Sequence, residues 1–286
     1  MTLSQSYKHM NNNSYQTTIE SALSGTELAL KNSMIKSARL DSQLILAHVI
    51  KKPRSWVLSH NDFVLSLAQI DQVKSLTKLR QSNTPIAYLL KKKEFYRRIF
   101  LCDERALVPR PESEQLISDI LEILPNKPLS ILDVGCGSGI LGITIFLENP
   151  RWKITLSDIS KDAIQLAKQN IELFNLSTKI SIIESNLLPK NLYFDVVIAN
   201  LPYVPTNLVD KPDIAKEPKL ALFAGKDGLD VYRDLFKQLG DTKTKPTYLF
   251  IESLTEQQGE LIKSASSNKY SLLKQTDFTL SFRLKN

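Results

Sequence analysis

A glycine-rich turn follows an apolar segment near the middle of this 286-residue chain. Its residues are Gly135, Cys136, Gly137, Ser138 and Gly139. Glycines at alternate positions let the backbone approach a ligand closely, because no Cβ stands in the way. The spacing G-x-G-x-G differs from the G-x-G-x-x-G of dinucleotide-binding proteins, and no Gly-Lys-Ser/Thr of a phosphate-binding loop follows. The turn therefore suits a ligand without a pyrophosphate, such as S-adenosylmethionine.

An acidic residue stands where a ribose would need an acceptor. Asp158 follows the glycine turn by about 20 residues, at the end of the next predicted strand. A carboxylate in that place accepts hydrogen bonds from both ribose hydroxyls. Strand, glycine turn, helix, second strand and acid together predict a cofactor site.

A second turn, Asn200-Leu201-Pro202-Tyr203, follows another apolar strand. A planar amide or amidine nitrogen is a poor nucleophile because its lone pair is delocalised, so an enzyme that methylates one must hold both N–H hydrogens. The Asn200 side-chain oxygen suits one hydrogen and the Leu201 carbonyl the other, since Pro202 keeps Leu201 extended. Tyr203 offers a flat face to a planar group. Positioning and electrostatics then supply most of the catalysis, and no general base is required.

Composition limits the class of protein. Hydrophobic residues make up 42% and charged residues 23% of the chain, as in ordinary globular proteins. No stretch of about 18 apolar residues is present, and the polar N-terminus has no signal-peptide core, so we expect no membrane span and a cytoplasmic location. The two cysteines are far apart, and the three histidines lie in the first quarter of the chain. We therefore expect neither a disulfide framework nor a metal site.

The basic excess is confined to the N-terminal part of the chain. Residues 1–108 carry 16 basic and 8 acidic side chains, whereas residues 109–286 carry 21 and 22. Such an excess favours a negatively charged partner, such as ribosomal RNA or an acidic protein, although a solvated surface has the same pattern. Lys91–Lys93, Arg97 and Arg98 form a dense basic group that suits phosphate contacts.

Periodicities divide the chain into four segments. We expect a disordered tail over residues 1–14, a helical bundle over 15–84, a β-hairpin connector over 85–108 and a catalytic domain over 109–286. In the last segment strand and helix patterns alternate, which predicts a mostly parallel sheet covered by helices. Ligands of such sheets bind beyond the carboxyl ends of the strands, where both turns are expected.

Local signals predict boundaries within the first part of the chain. Apolar spacing predicts a helix over Ala38–Ile50. Asn61 and Asp62 are candidate caps for a following helix that runs to Arg80. From Tyr88 onward the aromatic and aliphatic residues are typical of strands.

Several motifs, in this order, resemble the HemK/PrmC family of peptide chain release factor N5-glutamine methyltransferases. The similar segments, besides the two turns, are Ala38–Val49, Pro85–Leu90, Glu94–Tyr96, Val108–Glu114, Glu217–Pro218, Ala221–Leu222 and Gly225–Leu229. The resemblance implies an α/β fold: a Rossmann-like class I S-adenosylmethionine-dependent methyltransferase domain, preceded by a small all-α bundle and a β-hairpin connector.

The resemblance also implies a substrate and a set of site residues. The substrate would be the glutamine of a Gly-Gly-Gln loop on a class 1 peptide chain release factor, which the bundle would dock. The product of the cofactor would be S-adenosylhomocysteine, and the enzyme would act as a monomer to modulate translation termination. The residues that would surround S-adenosylmethionine are Gly135, Cys136, Gly137, Ser138, Gly139, Asp158, Asn186, Leu187 and Asn200. Asn200, Leu201, Pro202 and Tyr203 would hold the glutamine side chain.

The chain departs from the family pattern at a few positions. Leu201 stands where the family usually has the first proline of Asn-Pro-Pro-Tyr, and Asn186 stands where an aspartate usually holds the adenine amino group. Lys91 replaces a glycine, and the C-terminal motif is reduced. The chemistry assigned to Leu201 needs only its carbonyl, which leucine retains.

Three alternative hypotheses remain open from sequence. The first is an N6-adenine methyltransferase acting on rRNA or DNA, because Asn-Leu-Pro-Tyr is also similar to the substrate turn of ribosomal RNA adenine N6-dimethyltransferases. The amino group of adenine poses the same chemical problem as a glutamine amide. Those enzymes place the helical domain last, whereas this chain has it first. A ribosomal-protein glutamine is another possible substrate. A non-enzymatic factor-binding protein is the third alternative, motivated by Asn186 and the altered C-terminus.

Overall fold

The computed structural model describes residues 16–208 and 214–285. The chain divides into two compact units, the first ending at Ile86 and the second beginning at Ala87. The tail predicted over residues 1–14 lies outside the described residues. No helix in the described ranges is long and apolar enough to cross a bilayer.

The first unit is built from helices, as its apolar spacing predicts. They are α1 (Ile19–Asn32), α2 (Ala38–Ile50), α3 (Arg54–Ser59) and α4 (Leu67–Gln81). Fully buried aliphatic side chains such as Ile19, Leu30 and Ile45 form its core. An ion pair of 2.7 Å between Arg80 Nε and the buried Asp41 joins α4 to α2.

The cap predicted for α4 is wrong. Ser66, and not Asn61 or Asp62, precedes this helix and accepts a hydrogen bond from the Gln69 amide. The Gln69 side chain in turn accepts from the Ser66 amide, which completes a capping box. The Asn61 carbonyl instead accepts from the amide of Glu20.

A short helix and a hairpin follow the bundle. The helix is α5 (Ile86–Leu90), and the hairpin pairs β1 (Lys92–Phe95) with β2 (Arg98–Leu101). Strand character predicted at Tyr88 is therefore wrong. Pro85 directly precedes α5, where its missing N–H leaves no helical hydrogen bond unmade. The hairpin, predicted as a connector, falls within the second unit.

The second unit has a seven-stranded sheet. Its strands are β3 (Ser130–Val134), β4 (Lys153–Asp158), β5 (Ser181–Glu184), β6 (Val196–Ala199), β7 (Tyr248–Glu252), β8 (Tyr270–Gln275) and β9 (Thr279–Leu284). Its helices are α6 (Ser113–Ile123), α7 (Ile140–Glu148), α8 (Lys161–Leu173), α9 (Lys219–Leu222), α10 (Asp230–Asp241) and α11 (Gln258–Ser267). The strand order is β5-β4-β3-β6-β7-β9-β8. Strands β3 to β7 run parallel, and β9 is antiparallel to both of its neighbours. The predicted α/β fold is confirmed.

Register aligns the strand ends that carry the site. Val134 of β3 pairs with Ala199 of β6, and Ala199 pairs with Ile251 of β7. The residues that follow these strands therefore emerge at one edge of the sheet. Alternate residues of β3 enter different apolar clusters, Ile131 one and Leu132 the other, because successive side chains point to opposite faces.

Candidate active site

A cavity opens at the carboxyl ends of β3, β4 and β6. Its empty volume, including the part open to solvent, is about 880 Å³. The predicted site residues that line it are Gly135, Gly137, Asp158, Asn186, Leu187, Asn200, Leu201 and Pro202. The structure thus brings most of both turns to one cavity.

Four predicted site residues are not part of the described lining. Cys136 and Ser138 are buried, and Gly139 forms the N-cap of α7. Tyr203 turns its phenol toward a buried glutamate, as described below, so the flat face expected of it does not contribute to the described walls.

The glycine turn depends on backbone conformations that favour glycine. Gly135, Gly137 and Gly139 have φ values of 65°, 54° and 77°. In this region an L side chain meets the backbone, so only glycine adopts it readily. The Cys136 amide donates to the Ser157 carbonyl at 2.9 Å, and the Gly139 amide to the Cys136 carbonyl at 2.8 Å. The backbone itself therefore closes the turn.

Asp158 connects the glycine turn to the end of β4. Its Oδ2 accepts from the Gly137 amide at 2.9 Å, and its Oδ1 accepts from the Ser160 amide at 2.8 Å. Burial raises the pKa of Asp158, and these backbone N–H groups oppose the rise because they stabilise the carboxylate. Each carboxylate oxygen retains a second acceptor site. Asp158 can therefore brace the turn and still receive ligand hydroxyls.

The Asn186-Leu187 pair closes another side of the cavity. Leu187 is buried and adopts a φ of 61°. The Gln238 side chain from α10 brackets this bend: its Nε2 donates to the Asn186 carbonyl at 3.4 Å, and its Oε1 accepts from the Leu188 amide at 3.1 Å. The Asn186 side chain is exposed and lies in the cavity lining.

The Asn-Leu-Pro-Tyr turn is held by side chains from other segments. Asn200 Nδ2 donates to Ser113 Oγ at 3.1 Å, and the Leu201 amide donates to the Tyr232 hydroxyl at 3.2 Å. The Tyr203 hydroxyl donates to Glu252 Oε1 at 3.1 Å.

Leu201 also touches the glycine turn. Its side chain is buried, and a Cβ added at Gly135 would lie 2.7 Å from Leu201 Cδ2. The two turns are therefore in van der Waals contact across the end of β3 and β6.

An ion pair between the partly exposed Arg110 and the buried Glu217 joins two of the segments that frame the cavity. Glu217 Oε1 binds the Arg110 guanidinium, and Glu217 Oε2 accepts from the Val108 amide at 3.0 Å. The next residue, Pro218, lines the cavity. This contact therefore links the segment at 108–110 to the segment at 217–218.

Residue-based reasoning did not identify Ser113, Glu217, Tyr232 or Glu252 as site residues. Glu252 carried a usable signal, because an acid that directly follows a predicted parallel strand belongs at the ligand-binding edge. Tyr232 carried none, since its helix pattern accounts for it as a core residue.

The cavity fits S-adenosylmethionine. Asp158 has acceptor sites that would suit ribose hydroxyls, the methionine part would lie along the glycine backbone, and the apolar side chains of Ile159 and Leu187 would suit the adenine ring. At Gly137 an added Cβ would only make ordinary van der Waals contact, 3.8 Å from Ala106 Cβ, so other side chains do not crowd that backbone.

The parallel sheet, its glycine turn and the acid at the end of the next strand define a class I methyltransferase, an enzyme whose methyl donor is S-adenosylmethionine. Residues 115–217 match the methyltransferase small domain family, and residues 21–90 match the PrmC N-terminal domain family. A release factor glutamine methyltransferase of Mycoplasma mycoides is 38% identical over 217 residues, covering 73% of this chain and 77% of that protein. The chain belongs to the release factor glutamine methyltransferase family, as the sequence motifs predict.

Other comparisons agree with the fold. A bifunctional methyltransferase of Rickettsia felis is 34% identical over 254 residues, covering 76% of this chain and 48% of that longer protein. The crystal structure of the hMettl16 catalytic domain in complex with MAT2A 3'UTR hairpin 1 superposes with a TM-score of 0.52 at 14% identity. It covers 84% of this chain and 91% of that chain. At this identity the likeness concerns the fold alone.

Proposed function

We propose that this chain transfers the methyl group of S-adenosylmethionine to the side-chain amide nitrogen, N5, of the glutamine in the Gly-Gly-Gln motif of a class 1 peptide chain release factor. The observation that carries this proposal is the shared cavity, in which Asn200 and Leu201 lie beside Gly135 and Asp158. The name of the Mycoplasma mycoides relative supports the choice of a release factor glutamine.

The cavity residues have different proposed roles in the reaction. S-adenosylmethionine, when bound, would supply an electrophilic methyl group and become S-adenosylhomocysteine, and the amide nitrogen would release one proton to solvent. Asn200 Oδ1 accepts one hydrogen of the glutamine amide and the Leu201 carbonyl accepts the other, which orients the nitrogen. Such positioning lowers the barrier because the reacting atoms are aligned before the reaction begins. Tyr203 and Pro202 fix the turn, Tyr203 through its hydrogen bond to Glu252.

The partner surface is proposed to involve the basic N-terminal part of the chain. Lys91–Lys93, Arg97 and Arg98 suit an acidic protein face or RNA phosphates. We propose that the helical bundle docks the release factor, that a ribosome or RNA contact uses the basic residues, and that the enzyme acts as a cytoplasmic monomer. Size-exclusion chromatography with light scattering tests the monomer.

The other hypotheses are less well supported. The relatives at 34–38% identity are methyltransferases, which disfavours a non-enzymatic protein. Adenine methylation rests on the turn alone, since the RNA-bound structural neighbour shares only its fold with this chain. A ribosomal-protein glutamine remains the second candidate substrate for the same chemistry.

Peptide mass spectrometry tests the proposal. The purified enzyme is incubated with S-adenosylmethionine and an unmodified release factor, and the Gly-Gly-Gln peptide is then sequenced by fragmentation. We expect one added methyl group on the glutamine. Parallel reactions with ribosomal proteins and with RNA, analysed as peptides and nucleosides, separate the candidate substrates. Methylated adenosine without a methylated glutamine would overturn the proposal.

A further inference from the structure

The buried Glu252 lies next to Asn200 at the end of the sheet. Ala199 of β6 pairs with Ile251 of β7, so Asn200 and Glu252 are the next residues on neighbouring parallel strands. Glu252 is 1% exposed. A buried carboxylate is costly unless other groups satisfy it, so its presence beside the substrate turn needs an explanation.

The surroundings of Glu252 are mostly hydrogen-bond donors from the site. Its Oε1 accepts from the Tyr203 hydroxyl at 3.1 Å, and its main-chain carbonyl accepts from the Tyr232 hydroxyl. The side chains of Ser113 and Asn200 also lower the pKa of this carboxyl. Among the described residues, Glu252 Oε2 has no hydrogen-bond partner.

The Asn200 carboxamide has a donor end and an acceptor end, and only one of them can face the substrate. Its Nδ2 donates to Ser113 Oγ at 3.1 Å. A serine hydroxyl alone does not fix this direction, because it can donate as well as accept. An ionised carboxylate only accepts, so the charge of Glu252 attracts the Ser113 hydroxyl proton and favours the Asn200 amino group, rather than its oxygen, on that side. The Asn200 oxygen is then left for the cavity.

We infer that Glu252 is a positioning residue, which acts through Ser113 to hold the Asn200 side chain with its oxygen toward the methyl acceptor. This inference rests on the proposed function, because an acceptor oxygen is useful only if the substrate presents an N–H group there. The same carboxylate fixes the Tyr203 phenol, so one buried charge organises both ends of the substrate turn.

The charge state of Glu252 adds a second readout. Burial raises the pKa of Glu252 to about 6, although the donors from Ser113, Tyr203 and Asn200 lower it. The titratable groups that face it are Glu112, Tyr203 and Tyr232. Protonation turns the carboxylate into a group that can also donate, so it no longer fixes the direction of the Asn200 amide. Turnover should therefore fall as the pH drops through about 6.

The test compares Glu252→Gln with Glu256→Gln, a change of the same kind at an exposed position four residues along the chain. We expect kcat for release factor methylation to fall ~100-fold in Glu252→Gln, as for a misplaced reacting group, and to stay unchanged in Glu256→Gln. The dissociation constant of S-adenosylmethionine, measured by calorimetry, should change less than about twofold, because Glu252 is outside the described cavity lining. The acid limb of the kcat profile should disappear in Glu252→Gln.

A pair of variants at Ser113 covers the case in which Glu252→Gln fails to fold. Ser113→Ala removes the hydroxyl between Asn200 and Glu252 and should lower kcat, whereas Ser113→Thr keeps the hydroxyl and should restore most of it. Wild-type kcat and an intact acid limb in Glu252→Gln would overturn the positioning role, as would equal activity of the two Ser113 variants. Failure of the wild-type enzyme to methylate any release factor would instead overturn the proposed function.

Discussion

The two turns that line the cavity reach their conformations by different means. The glycine turn is closed by its own backbone and by Asp158, whose bond to Gly137 spans 21 residues of sequence. The Asn-Leu-Pro-Tyr turn is held by Ser113, Tyr232 and Glu252, across separations of 87, 31 and 49 residues. The glycine turn is thus a comparatively local structure, whereas the Asn-Leu-Pro-Tyr turn is assembled from distant segments of the catalytic unit.

This difference separates the expected effects of substitution. Changes on the cofactor side should alter ligand affinity, since they act on the walls that hold the cofactor. Changes on the acceptor side should alter turnover while the cofactor still binds, because the supporting side chains act on the substrate turn. If the two sides are separable, a substitution on one side changes either cofactor affinity or turnover and leaves the other largely unchanged.

Asn200→Ala should have the largest effect. Removing the acceptor oxygen leaves the glutamine nitrogen unoriented, and loss of one such group costs about 10²–10³-fold in kcat. Calorimetry should show S-adenosylmethionine binding mostly intact. Asn207→Ala, at an exposed position in the following segment, is the matched control and should retain full activity. A near-normal rate in Asn200→Ala would contradict the assignment of this turn to catalysis.

Asp158→Ala should act mainly on cofactor binding. The variant loses the acceptor for the ribose and also the bonds from Gly137 and Ser160. Hydrogen bonds to a charged group contribute about 1.5–3 kcal/mol each, so we expect the dissociation constant of S-adenosylmethionine to rise ~100-fold. Asp162→Ala, exposed in the first turn of α8, is the control. If affinity were unchanged while kcat at saturating cofactor fell, the two sides would not be separable.

Gly135→Ala should disturb both the glycine turn and the Asn-Leu-Pro-Tyr turn and lower the free energy of unfolding. Alanine at a φ of 65° is strained, and its Cβ would lie 2.7 Å from Leu201 Cδ2. The strain alone costs about 1–2 kcal/mol, and Leu201 must also move. Gly259→Ala, in helix α11 with no atom within 4 Å of the new Cβ, should instead stabilise the protein by roughly 0.5–1 kcal/mol. Urea denaturation measures the free energy of unfolding of both variants. Equal values would contradict a close contact between Gly135 and Leu201.

The same difference explains what could be predicted from the sequence. The sequence was sufficient to predict Gly135, Gly137 and Asp158 as site residues, because a local turn leaves its residues close together in the chain. Ser113 and Tyr232 were not, because their partners are distant and nothing in a helical pattern indicates a polar contact at its buried face. The mostly parallel sheet followed from the alternating strand and helix patterns, whereas the cap at Ser66 required the actual fold of the preceding loop.

The smallest expected effect concerns the Leu201 amide, and it is the sharpest test of how the Asn-Leu-Pro-Tyr turn is supported. A proline there would have no N–H, whereas leucine has a buried one that needs an acceptor. Tyr232 supplies it: its fully buried hydroxyl accepts from the Leu201 amide at 3.2 Å, and it can donate to the carbonyl of Ala199 or of Glu252. The tyrosine therefore satisfies the donor that the departure from the family motif introduces.

A double-mutant cycle isolates this contribution. Tyr232→Phe alone should lower the free energy of unfolding by about 1–3 kcal/mol, because it leaves the buried Leu201 N–H without an acceptor. In the Leu201→Pro background that N–H is absent, so Tyr232→Phe should cost about 1 kcal/mol less. The packing lost with the leucine side chain cancels, since it is missing from both proline proteins. An identical cost of Tyr232→Phe in the two backgrounds, measured by urea denaturation, would mean that the tyrosine supports the turn only through the carbonyls of Ala199 and Glu252.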